Sequence, residues 1–149
     1  MTENPQLKAL LSADGVTTRT SEETTRLGAE LAEALPRGSV LSLEGPLGAG
    51  KTQLATGLVA ALGGEASSPS FAIVHEYADA RMPVFHFDFY RLERVEELGP
   101  VGYDDCLGEG LVIIEWGDKF PAMLPSGTIR LRFELLPDGG RRIRGTVQP

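Results

Sequence analysis

The apolar and polar positions of this 149-residue chain alternate between helical and extended spacing. Thr20-Ser21-Glu22-Glu23 places a hydroxyl and then a carboxylate ahead of Leu27, Leu31 and Leu35. These leucines share one face of a predicted helix that Pro36 and Gly38 stop. Ser39 to Glu44 reads as a short strand bounded by glycine. A glycine-rich turn follows, then Leu54, Leu58 and Leu62 at four-residue spacing, ended by Gly63 and Gly64. The local order is strand, glycine loop, helix.

Ala72 to Tyr77 and Pro83 to Phe89 predict two strands joined by Ala78-Asp79-Ala80-Arg81, a separation short enough for an antiparallel hairpin. In the second, alternation sets Phe85, Phe87 and Phe89 on one face and His86 and Asp88 on the other. A weak helical pattern at Glu93, Glu96 and Glu97 leads to Leu111-Val112-Ile113-Ile114-Glu115-Trp116, whose uninterrupted apolar run suits a central strand covered on both faces. Ile129, Leu131, Phe133 and Leu135 then alternate with polar residues, Asp138-Gly139-Gly140 is a turn signal, and Arg142 to Val147 returns as a strand.

With 42% hydrophobic and 23% charged residues, the composition excludes wholesale disorder and fibrous repeats. No repeat or linker divides the chain, so one domain over residues 1–149 is expected. Cys106 alone cannot form an internal disulfide, and it reads as a small core residue. No apolar stretch is long enough to span a bilayer, and Met1 to Ser12 lacks the layout of a secretion signal, so the expected compartment is the cytoplasm. A net charge of −7 argues against a free-standing nucleic-acid binder. That charge is uneven: residues 129–149 carry five arginines against two acids. Arg130, Arg132, Arg142 and Arg144 should project from the face opposite Ile129, Leu131 and Phe133, either simply solvated or as a basic patch for an acidic partner or a nucleic-acid backbone.

Gly45-Pro46-Leu47-Gly48-Ala49-Gly50-Lys51-Thr52 fits the phosphate-binding pattern G-x-x-x-x-G-K-[ST], and it lies between a strand and a helix as that chemistry requires. Glycines let backbone N–H groups close around phosphate oxygens, and the helix N-terminus adds partial positive charge. Lys51 reaches the β and γ phosphates, and the Thr52 hydroxyl can coordinate Mg²⁺. Gln53, the next residue, is counted among the nucleotide contacts. The fold class that follows is α/β: a three-layer P-loop NTPase-like fold with a mixed, mainly parallel central sheet and a C-terminal antiparallel hairpin.

Such a site needs a second acid for the metal, usually at the end of a buried strand. Glu115 meets that description, and Asp88 competes with it unless Asp88 is merely the solvated side of its strand. Lys51, Asp88 and Glu115 are the candidate catalytic residues, and Thr52 with Glu115, the better placed of the two competing acids, is the candidate metal pair. His86 reads as structural. Trp116 is either core or an aromatic edge beside the nucleotide. The hydroxyls of Ser67, Ser68 and Ser70 form either a polar connection or a loop that senses the γ-phosphate. A guanine-reading N-K-x-D element needs an asparagine, and the only one is Asn4, upstream of the loop, so ATP is favoured over GTP. Two other classes use the same parts. One is a small-molecule kinase, for which 149 residues leave little room for an acceptor pocket and lid; the other is a non-catalytic nucleotide-sensing adaptor.

Four co-linear segments, Leu43 to Thr52, Ser68-Pro69-Ser70-Phe71, His86 to Leu92 and Ile114-Glu115-Trp116, resemble the TsaE (YjeE) family over roughly residues 20 to 120. The chain has Ser68-Pro69-Ser70 where the family usually has Ser-Pro-Thr, and Asp88-Phe89-Tyr90-Arg91 where it usually has Asp-Leu-Tyr-Arg. The resemblance implies an ATPase needed for threonylcarbamoyladenosine at position 37 of tRNAs reading ANN codons, acting with TsaD and TsaB and meeting tRNA only through that complex. It further implies that Gly45 to Thr52 hold ATP, that Thr52 and Glu115 hold Mg²⁺, and that Asp88 is an acid required for activity. By the same resemblance Ser68 and Ser70 lie in a switch-like loop, and Ser21 approaches the nucleotide.

Overall fold

The computed structural model describes residues 5–64, 73–77 and 80–149. The elements run α1 (Pro5–Leu10), β1 (Val16–Thr18), α2 (Ser21–Leu31), β2 (Val40–Glu44), α3 (Lys51–Ala61), β3 (Val74–Tyr77) and β4 (Val84–Asp88). They continue with α4 (Tyr103–Cys106), β5 (Leu111–Glu115), β6 (Ile129–Leu135) and β7 (Arg141–Val147). One sheet holds all seven strands in the order β1-β7-β6-β2-β5-β4-β3. The four inner strands β6, β2, β5 and β4 are mutually parallel, and both flanks are antiparallel, with β7 and β1 on one side and β3 on the other. This is the mixed sheet with a terminal hairpin expected from the sequence.

Strand alternation distributes the core over both faces. Leu41, Leu43, Leu111, Ile113, Leu131 and Phe133 pack against Leu27 and Leu31 of α2 and Leu54 and Leu58 of α3. Val40, Phe87, Val112 and Ile114 point the other way, onto Phe89, Leu98, Tyr103 and Leu124. Because both faces are covered, every residue of β2 is buried.

Helix α2 starts as its sequence signals: the Thr20 hydroxyl accepts from the Glu23 N–H at 3.1 Å, and the Glu23 carboxylate accepts from Arg19 N–H at 2.7 Å. The helix ends at Leu31, short of the predicted Pro36, yet Leu35 remains buried in the turn that follows. Helices α2 and α3 touch backbone to backbone. A methyl group on Gly28 would overlap the Leu54 carbonyl, and one on Gly57 would overlap the Thr25 carbonyl.

Three parts depart from the sequence reading. The acidic segment forms only a 3₁₀ turn at Val95–Leu98, with Glu97 accepting from the Glu93 and Arg94 N–H groups, so these side chains cap a turn instead of lining a helix. Helices α1 and α4 and strand β1 are too short to leave a periodic signal; β1 forms by pairing its three residues with Arg141, Arg142 and Ile143. The arginine face is oriented as expected, with Arg132 opposite Arg144 and Arg130 opposite Thr146. It is not simply solvated, however, because Arg130 turns inward to Glu44 in a 2.7 Å ion pair.

Candidate active site

The glycine loop leaves the carboxyl end of β2 and delivers the chain into α3. Gly45, Gly48 and Gly50 have φ of 136°, 78° and 104°, in a region that side chains disfavour, which is why glycine is needed at these places. Ala49 is buried beneath the loop and Leu47 projects from its tip into solvent. Lys51, only 5% exposed, folds back over the loop. Its ammonium donates to the carbonyls of Gly45 and Pro46 and sits 3.6 Å above the centre of the Trp116 ring. Burial lowers the Lys51 pKa, and the nearby charges of Glu115, Asp118 and Asp88 partly oppose that.

Glu115 ends β5 on the face turned toward α3. Its Oε1 accepts from the Thr52 hydroxyl at 3.3 Å, and its Oε2 lies 2.7 Å from His86 Nε2. Burial pushes the Glu115 pKa up, but the His86 bond, the Lys51 charge and the Thr52 bond outweigh it and hold the carboxylate below its ordinary range. Asp88 is directly opposite Glu115 in the parallel β4–β5 register. Its Oδ1 accepts from the Tyr90 N–H at 3.1 Å, and Arg91 lies 3.3 Å from Oδ2. Burial raises the Asp88 pKa and the neighbouring Glu115 adds to this, while the Tyr90 N–H and Arg91 act against it.

Trp116 is the one non-glycine residue among those described with a left-handed backbone, at φ 62°. Its N–H is pinned to the Leu43 carbonyl at 3.0 Å, and its ring lies 5.1 Å from that of Tyr90. Lys119 closes the same corner by donating to the carbonyls of Tyr90 at 3.0 Å and Leu92 at 2.6 Å, which fixes the turn that follows Asp88.

Lys51, Thr52, Asp88, Glu115 and Trp116 thus converge, with half-buried Gln53 in the same first turn of α3. Ser21 is exposed at the start of α2, where its carbonyl accepts from Thr25, and it lines a surface hollow with Gly57 and Ala61. It is Thr24 that approaches the loop, with its methyl 3.2 Å from where a Cβ on Gly50 would be. The hydroxyl segment, including Ser67, Ser68 and Ser70, lies outside the described residues.

Two residues at the site carry no functional signal in the sequence. His86 was expected to be structural; it is 3% exposed and bonded to Glu115. Arg141, at the start of β7, donates to the Gly48 carbonyl at 3.3 Å and packs beside Gly50, while its Nε is buried without a hydrogen-bond partner among the described residues. Its place was hidden because 93 residues separate it from Gly48.

Known proteins resemble this chain in sequence and in fold. The TsaE family model, described as threonylcarbamoyl adenosine biosynthesis protein TsaE, matches residues 18–143. The chain is 37% identical over 128 residues to a Treponema pallidum tRNA threonylcarbamoyladenosine biosynthesis protein TsaE, covering 84% of this chain and 94% of that one. It is 44% identical over 109 residues to the Synechocystis protein of the same name, covering 69% of each. The crystal structure of Bacillus subtilis YdiB superposes with a TM-score of 0.76 at 32% identity, over 90% of this chain and 84% of that one.

Proposed function

The chain belongs to the TsaE family, whose members are tRNA threonylcarbamoyladenosine biosynthesis proteins, and from that premise we propose that it is a magnesium-dependent ATPase of this pathway. It acts in the cytoplasm as the accessory ATPase of a complex with TsaD and TsaB, and it meets tRNA only through that complex. The observation that carries the reading is the convergence of Lys51, Thr52 and Glu115 at the mouth of the glycine loop, with the Thr52 hydroxyl on Glu115.

The loop N–H groups and Arg141 embrace the phosphates, Gln53 and Trp116 flank the nucleotide, and Lys51 leaves the Gly45 and Pro46 carbonyls to engage the β and γ phosphates. Thr52 and Glu115 suit Mg²⁺, which takes one or two carboxylates and completes its shell with phosphate oxygens and water. Bound there, the ion would neutralise charge on the phosphates. Glu115, already hydrogen-bonded to Thr52, is the metal carboxylate. Asp88, whose pKa is raised, orients water for attack on the γ-phosphorus and accepts its proton as the bond to the β-phosphate oxygen breaks. The products are ADP and inorganic phosphate.

Phosphate release by the purified chain, alone and with TsaD and TsaB, tests the reading. Slow release that the partners accelerate and Lys51→Ala abolishes is expected. Absence of release under both conditions would make the protein a nucleotide-sensing adaptor, and a phosphorylated metabolite would make it a kinase.

A further inference from the structure

The Glu115 carboxylate is held at both oxygens by different elements: Thr52 from α3 on Oε1, and His86 from the adjacent strand β4 on Oε2. An ionised carboxylate has no hydrogen to give, so the 2.7 Å contact requires His86 Nε2 to carry the proton and donate it. The register makes this contact a product of the sheet. His86 pairs with Ile113 and Asp88 with Glu115, so the imidazole stands one pleat below Glu115 on the same face and reaches up to it. With both faces of the sheet covered, the ring is buried and has little freedom to turn away.

We propose that His86 is a positioning residue for the metal-binding carboxylate. By occupying Oε2, it fixes Glu115 in the rotamer that turns Oε1 toward Thr52. It also keeps Glu115 from swinging onto the Lys51 ammonium, whose charge acts on it. Outer hydrogen-bond partners of metal-binding groups typically contribute roughly 10- to 100-fold in metal affinity, because they settle the ligand's orientation before the metal arrives. His86 never touches nucleotide, and its effect travels only through Glu115. This inference rests on the reading of Glu115 as the metal carboxylate.

The experiment is calorimetric titration with ATP, once in EDTA and once in Mg²⁺, on the parent chain and on His86→Leu, His86→Gln, His86→Asn and Glu115→Gln, with a thermal melt of each. The Mg²⁺-dependent gain in ATP affinity is expected to fall about 10- to 100-fold in His86→Leu, while affinity in EDTA stays within about twofold of the parent. His86→Gln, whose amide nitrogen takes the place of Nε2, should recover most of the gain; His86→Asn, one methylene shorter, should not. A full gain in His86→Leu would overturn the proposal, as would equal behaviour of the Gln and Asn variants. The Gln and Asn pair carries the test alone if His86→Leu does not fold. A full gain in Glu115→Gln, or none in the parent, would instead overturn the Glu115 reading beneath it.

Discussion

Arg130 reaches from β6 to the last residue of β2 and grips both oxygens of Glu44, Nε to Oε2 at 2.7 Å and Nη2 to Oε1 at 3.0 Å. Glu44 is 2% exposed and immediately precedes the first glycine of the loop. The Ser42 hydroxyl donates to the same carboxylate at 2.8 Å, and Arg132 stands 3.6 Å away. The acid is thereby paired and hydrogen-bonded, as a buried charge must be.

Removing the arginine strands that charge. Arg130→Ala is expected to cost about 3 to 5 kcal/mol of folding stability, as breaking a buried pair from one side does. Arg144→Ala, on the same face but exposed and without an ion pair among the described residues, should change stability by less than about 0.5 kcal/mol. Urea unfolding of the two variants checks the contrast, and equal losses would contradict it.

The crossing of α2 and α3 leaves no room for a side chain at Gly57, where a methyl group would meet the Thr25 carbonyl. Gly57→Ala improves helix propensity by about 1 kcal/mol, yet the overlap should dominate and leave a net loss of roughly 1 to 3 kcal/mol. A thermal melt at or above the parent midpoint would show that the helices separate at little cost.

Asp88 supplies a pH test. Burial, reinforced by Glu115, raises its pKa above the ordinary 3.8, so the folded state binds the proton more tightly than the unfolded chain. Ionising it therefore lowers stability as the pH rises through the folded value. Asp88→Asn keeps an oxygen for the Tyr90 N–H and loses only a partly exposed pair with Arg91. It should be more stable than the parent near neutral pH, and that advantage should vanish below 3.8, with hydrolysis lost throughout. Melting curves across the acid range would show the two proteins converging.

Trp116 combines a strained backbone with a ring that covers Lys51. Trp116→Ala and Trp116→Gly both remove the ring, so their difference isolates the backbone. The Gly variant should be the more stable by about 1 kcal/mol. Denaturant midpoints in the opposite order would place the left-handed conformation outside the stable native state.

Local chemistry was legible in the sequence where the residues involved are neighbours. The glycine loop, the buried strand ending in Glu115 and the Asp138-Gly139-Gly140 hairpin each carry their signal within a few positions, and each lies where that signal put it. Illegible were contacts made by the sheet order, which brings distant strands side by side. Glu44 and Arg130 are 86 residues apart, and His86 and Glu115 are 29 apart. The alternation at Phe85 to Phe89 also left the His86 face free to be solvated. It is buried because α3 covers the side of the sheet to which Glu115 and His86 belong, and a single strand does not report what lies above it.

The pleat of the sheet also separates two sets of side chains that are interleaved in the chain. His86, Asp88 and Glu115 share the side facing α3, whereas Ser42, Glu44, Arg130 and Arg132 project from the opposite side. Among the described residues, Asp118 has ties to both, pairing with Arg132 at 3.7 Å and acting by its charge on Lys51. Away from Asp118, substitutions drawn from the two sides are expected to combine additively in stability to within about 0.5 kcal/mol. The molecule can therefore be engineered as two nearly independent halves, one reserved for chemistry and one for robustness, with Asp118 as a crossing point.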